Sequence, residues 1–224
     1  MCSERLAFTI TLAITLVVNA MPLRSATIEG TVSLTAAPQR EKPVAYNRGV
    51  YRSSAKRPTP RSPSPVDVVV YLENPPASSS SPPAAGPFVM RQNHDRFVPH
   101  VLPITAGSKV EFPNEDDYYH NVFSIVSGDR FDLGRFAGGE KASVRFDEEA
   151  IVVVRCEIHS RMKAYIVVLD HPFFTAPESS GAFRLEKIPP GSYTVKAWHP
   201  TAGEKQTVIT VPSHTSVVNL SLDF

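Results

Sequence analysis

Cysteine is nearly absent from this sequence: of 224 residues, only Cys2 and Cys156 carry a thiol. Two such residues, one of them at the extreme start, cannot furnish a disulfide framework, so an exported form must hold together through its core. Long apolar runs are missing too. Leu6–Val18 (LAFTITLAITLVV) has thirteen mostly apolar residues, fewer than the about 20 a helix needs to cross a bilayer. No G-x-S-x-G elbow occurs and the serines gather in low-complexity tracts, which leaves hydrolytic machinery without support. Charge of neither sign is in excess. With 23 basic and 22 acidic residues the formal net charge is +1, and nothing global points to nucleic acid or to a membrane surface.

What is there begins with export. The apolar run, preceded by Met1–Arg5 and followed by small and turn residues, reads as the core of a secretory signal peptide over residues 1–26, cleaved after Ala20 or near Ser25 or Ala26. Cys2 would leave with it, and its place ahead of the apolar run argues against a lipoprotein cysteine. The mature chain, periplasmic or secreted and with no stable membrane insertion, then holds one thiol. A lone thiol in an oxidising compartment is open to oxidation unless something occupies it, and a metal ion would do so.

Cys156 opens the stretch Cys156-Glu157-Ile158-His159-Ser160-Arg161-Met162, a thiol, an imidazole and a thioether within seven residues. On either side lie Ala150–Arg155 (AIVVVR) and Ala164–Leu169 (AYIVVL), runs too short and too β-branched for helices, so the stretch reads as a loop between neighbouring strands. A thiolate with two imidazoles and a weak thioether suits copper; zinc prefers four strong donors. The second imidazole falls to His120, just ahead of the strand-like run Asn121–Val126.

A His-Asn pair, a strand, then C-x-x-H-x-x-M between two final strands resembles the cupredoxins, the small blue copper proteins, and its short Cys-to-Met spacing is most similar to their amicyanin branch. The likeness runs from about Phe97 to Leu169 and takes in Phe97-Val98-Pro99, Gly107, Val110-Glu111-Phe112 and Asn114. It implies one type 1 copper ion held by His120, Cys156 and His159 with Met162 axial, and Asn121 and Asn114 outside the ligands, the Asn121 amide aimed at the sulfur. It also implies that the ring edge of His159 faces solvent amid apolar residues. Glu115, Asp116 and Asp117, just before His120, are candidate docking residues for a basic partner.

Proline is uneven, with thirteen of 21 between Pro38 and Pro103. Arg48–Pro65, with five basic residues and no acid, and Asn74–Pro87, almost purely Pro, Ser and Ala, read as disordered segments. Strand patterns surround them at Thr27–Leu34 and Val66–Leu72, and four more follow the metal-binding stretch: Ala182–Glu186, Ser192–Trp198, Gln206–Val211 and Thr215–Leu222. Gly181-Ala182-Phe183-Arg184-Leu185 and Pro190-Gly191-Ser192-Tyr193-Thr194-Val195 resemble the G-x-F-x-L…P-x-G-x-Y-x-V signature of carboxypeptidase regulatory-like sandwiches, whose early strands Gly30-Thr31-Val32 and Val68–Leu72 match. The expected organisation is all-β. A Greek-key cupredoxin sandwich over 88–170, after a linker at 76–87, is inserted into a second small sandwich made of 27–75 and 171–224. The alternative places 27–75 in the cupredoxin sheet and leaves 171–224 as a separate unit.

No H-x-H pair occurs, which excludes the oxygen-reducing cluster of multicopper oxidases, and a binuclear copper centre needs a second cysteine in the loop. The expectation is a non-enzymatic carrier of single electrons between redox proteins. The chain pattern also looks like exported proteins labelled methylamine-utilisation or plastocyanin-like, which implies a dehydrogenase and a c-type cytochrome as partners. Two other classes are carried beside it: a copper-binding or delivery module that does not cycle, and a structural surface β-module.

Overall fold

The computed structural model describes residues 25–34, 63–76, 86–125, 130–213 and 217–224. The expectations for residues 1–24 of the signal segment, for 48–62 of the basic loop and for 77–85 of the linker lie outside these. Among the described residues the chain is all-β, as its β-branched runs predict, and the one helical element is a 3-10 turn at Pro65–Asp67.

In chain order the strands are β1 (Ala26–Ser33) and β2 (Val69–Leu72), then β3 (Phe88–Val89), β4 (Arg91–Gln92), β5 (Phe97–Val98), β6 (Val101–Thr105), β7 (Ser108–Pro113), β8 (His120–Ser124), β9 (Phe131–Phe136), β10 (Lys141–Phe146), β11 (Ala150–Arg155) and β12 (Lys163–Leu169). Five follow: β13 (Phe174–Thr175), β14 (Ala182–Ile188), β15 (Gly191–His199), β16 (Gly203–Val211) and β17 (Val217–Asp223). They form four main sheets. Residues 88–169 supply β10-β7-β3 and β6-β12-β11-β8-β9, while β14-β1-β17 and β13-β2-β15-β16 each join an early strand to late ones.

β1 therefore pairs with β14 on one side and runs parallel to β17 on the other, and β2 lies between β13 and β15. A single apolar core, with Ile28, Val32, Val70, Leu72, Leu185, Val195 and Leu222 among its members, fills the space between those two sheets. We call this the host sandwich and the 88–169 unit the inserted one. The tight approach of β1 to its neighbours explains one glycine of the early-strand pattern. A Cβ on Gly30 would sit 2.3 Å from the Leu220 carbonyl oxygen and 2.5 Å from the Phe183 ring. Gly181, at φ +87, is held similarly: a Cβ there would meet the Val32 oxygen at 2.2 Å.

The two sandwiches stack. In β12, Ala164, Ile166 and Val168 point into the core of the inserted sandwich, and Tyr165, Val167 and Leu169 point the other way. Those outward residues meet Val69, Tyr71 and Trp198 of the host. A strand buried on both faces loses alternation and reads as a continuous apolar run, which is what AYIVVL is. β16 and β17 leave one face exposed, whereas β15 is covered at Trp198 by this contact.

Candidate metal centre

The loop after β11 is short because its flanking strands pair to their ends, Arg155 opposite Lys163. Two backbone bonds close it: the Cys156 amide donates to the Met162 carbonyl at 3.2 Å and the Met162 amide to the His159 carbonyl at 2.8 Å. Cys156 and Met162 are both buried at the end of the inserted core. His120 opens β8, which pairs with β11, and is fully buried, so the strand order carries its ring to the same end.

Three donor atoms converge there. Cys156 Sγ lies 3.9 Å from His120 Nδ1 and 3.9 Å from His159 Nδ1, and the two Nδ1 atoms are 3.1 Å apart. The point equidistant from the corners of such a triangle lies about 2.1 Å from each, within the roughly 2.0–2.3 Å that imidazole nitrogen and thiolate sulfur form with a first-row ion. A soft sulfur and two nitrogens in one plane, with a buried thioether at the end of the same loop, fit copper by donor chemistry.

The groups behind these donors account for their aim. The Asn121 amide points at Cys156 Sγ from 3.5 Å, and its side chain donates to Asp132 and to the Gly134 carbonyl while accepting from the Glu157 amide. Asn121 thus ties the strand bearing His120 to the loop bearing Cys156. Asn114, also buried, donates to the Tyr118 and Phe136 carbonyls and accepts from the Asp116 amide, shaping the 114–119 turn that delivers His120.

The three acids of the run have different surroundings. Glu115 accepts from the Arg91 guanidinium at 3.0 Å and from the Asn93 side-chain Nδ2 at 2.9 Å. Asp116, its side chain only 9% exposed, bonds His120 Nε2 at 2.7 Å and accepts from the amides of His94 and Asp95. Burial pushes the Asp116 carboxyl up, but the bonds from His120, His94 and Asp95 outweigh it and hold the group below the ordinary aspartate range. Asp116 is therefore ionised and can only accept, so the proton between it and His120 belongs to Nε2. Of the three acids, only Asp117 makes no side-chain bond among the described residues. The surroundings of His159 differ from the apolar rim expected as well: Asp95 Oδ1 lies 3.6 Å from its Nε2, and the Tyr118 ring stands edge-on 5.7 Å away. Burial and the bond to Asp95 push the Tyr118 phenol up to about 12, so it is a neutral donor.

Sequence reasoning missed Asp95 and Tyr118. Asp95 lies 64 residues ahead of His159, in a turn between two-residue strands that carry no periodicity. The only local signal was the Asn93-His94-Asp95 triplet of turn-forming residues.

No family model matches the sequence, and no curated protein matches it. Among solved structures, a copper-containing nitrite reductase (NirK) from Thermus scotoductus SA-01 is 28% identical over 44% of this chain, with a TM-score of 0.38, and this chain spans 26% of that one. A purple cupredoxin from Nitrosopumilus maritimus is 22% identical over 37% of this chain and 99% of its own, with a TM-score of 0.34. A reduced amicyanin mutant is 18% identical over 45% of this chain and 98% of its own, with a TM-score of 0.35.

Proposed function

We propose that His120, Cys156 and His159, with Met162 as a weaker fourth donor, would hold one copper ion in a cupredoxin-type centre that carries single electrons between redox proteins. The observation that carries this reading is the donor triangle, its corners placed so that one ion reaches all three. Copper bound there supplies a one-electron couple. The chain supplies the rest: Asn121 fixes the loop to the β8 strand, its amide stabilises the negative sulfur, and the pairing of β11 with β12 keeps the loop from spreading. A site held by the sheet in this way changes little between oxidation states, so little reorganisation opposes transfer. In this reading the chain is exported and catalyses nothing itself, and it receives and delivers electrons at the His159 edge, between partners such as a dehydrogenase and a c-type cytochrome.

The test is the visible spectrum of Cu(II)-loaded protein. An intense thiolate-to-copper band is expected, absent from Cys156→Ser. In Met162→Leu the colour persists and the potential rises, because loss of a weak axial donor destabilises Cu(II) more than Cu(I). Colourless copper-loaded wild type overturns the assignment.

A further inference from the structure

On the side away from Cys156 the two histidines meet a second set of groups. β4 and β5 are joined through Asn93–Arg96, a turn closed by bonds between the Asn93 and Arg96 backbones in both directions. His94 and Asp95 in its centre both take positive φ, 52° and 56°, a conformation side chains rarely adopt twice running. Asp116 holds the turn there, accepting from the His94 amide at 2.7 Å and the Asp95 amide at 3.2 Å. The same carboxylate bonds His120 Nε2 at 2.7 Å. Asp95, placed by the turn, accepts from the Tyr118 hydroxyl at 3.0 Å and sets Oδ1 3.6 Å from His159 Nε2. The turn and the Asp116 carboxylate that braces it therefore put one carboxylate near the distal nitrogen of each histidine.

We propose that Asp116 and Asp95 are positioning residues that keep His120 and His159 in the Nε2–H tautomer, so that both Nδ1 lone pairs face Cys156 before any ion arrives. This rests on the metal-centre reading above. The reason lies in the 3.1 Å between the two Nδ1 atoms. A proton on either would bond to the other nitrogen, closing the triangle with an internal hydrogen bond that an incoming ion must break. In a neutral imidazole, the bond made by one nitrogen decides where the proton sits. At His120 a hydrogen bond to Asp116 holds the proton on Nε2, as carboxylate–histidine pairs do behind other metal ions. At His159 the negative charge of Asp95, 3.6 Å from Nε2 and beyond hydrogen-bond distance, favours the same tautomer electrostatically. The two are unequal. The Asp116 bond is short and buried, whereas the Asp95 contact is longer and half exposed, so His120 is set more firmly than His159.

The experiment uses full-length, metal-free protein labelled with ¹⁵N-histidine at pH about 8, where ordinary imidazoles are neutral. Long-range ¹H–¹⁵N spectra should show His120 and His159 with Nε2 protonated and Nδ1 bare. Asp116→Ala should mix the tautomers at His120, and Asp116→Asn, which keeps an acceptor oxygen, should restore most of the preference. Because Asp116→Ala also strips the turn of two amide bonds, Asp95→Ala provides an arm that removes no backbone bond; it should mix the tautomers at His159 to a smaller extent. Cu(II) affinity should fall about 10-fold or more in Asp116→Ala and less in Asp95→Ala. Nδ1–H in the wild type, or unchanged tautomers in both alanine variants, overturns the proposal. Wild-type protein with the expected tautomers but no affinity for copper would sink the copper reading and leave the tautomer assignment standing.

Discussion

The two sandwiches of this molecule have similar walls and dissimilar interiors. Of the ten buried polar side chains among the described residues, seven lie in the inserted sandwich, and Gln92, Asn114, His120 and Asn121 among them belong to strands and turns behind the Cys156–Met162 loop. The host has Asp67, His171 and His199, and its central core is apolar apart from the Tyr193 hydroxyl, which donates to the Pro189 carbonyl. Burying a polar group costs free energy unless each donor and acceptor finds a partner. A domain that concentrates such groups at one end has traded apolar burial there for control over orientation. The host carries fewer such groups, and its central core rests on apolar burial.

The comparison breaks most visibly if the chain ends at Asp170. β1 and β2 would then lose every host strand they pair with, leaving open apolar edges, and the shortened protein should aggregate, whereas residues 88–170 alone should fold and bind copper. A soluble, cooperatively melting 27–170 protein would show that the early strands need no late partners. Trp198→Ala comes next. Trp198 stands edge-on to Tyr165 across the contact between the sandwiches, and truncating a buried aromatic costs about 3–5 kcal/mol. Calorimetry should resolve two transitions in place of one; a single transition at the wild-type temperature would mean that the contact adds nothing.

How much of this was legible beforehand depends on the spacing of the signals. Cys156, His159 and Met162 fall within seven residues between two β-branched runs, so the loop and its donors could be read directly from the sequence. The strand β9 is harder to read: Phe131 and Leu133 alternate with Asp132 and Gly134, but Gly134, at φ +72, breaks the phase before Phe136, so the apolar alternation covers too few residues to mark a strand. The reassignment of Asp116 was invisible for another reason. Glu115-Asp116-Asp117 look alike in sequence, and only the turn bearing His94 and Asp95 singles out the middle one.

Two smaller effects sharpen the contrast. Asn121→Ala removes the side chain's bonds to Asp132, Gly134 and Glu157 at the edge of the site and should cost about 1–3 kcal/mol in urea denaturation, with a shift in the visible band of the copper form. An unchanged spectrum would show that Asn121 serves only the fold. Asp117→Asn should change stability by less than about 0.5 kcal/mol and act only on association with a basic redox partner, lowering its ionic-strength dependence. A larger loss of stability would place Asp117 in the structure of the turn.

The pairing of Tyr71 with Phe174 has a consequence for the chain between them. The chain leaves the host at the end of β2 and returns in β13, its antiparallel neighbour, so departure and return lie about 5 Å apart. The chain between Leu72 and Phe174 can therefore be long without either host strand changing place, since loop-closure entropy grows only slowly with the length of chain between fixed ends. Among the described residues, a replacement for the 88–169 unit would have to match Val69, Tyr71, Phe174 and Trp198 on the host face and the Asp67 carboxylate that meets His100.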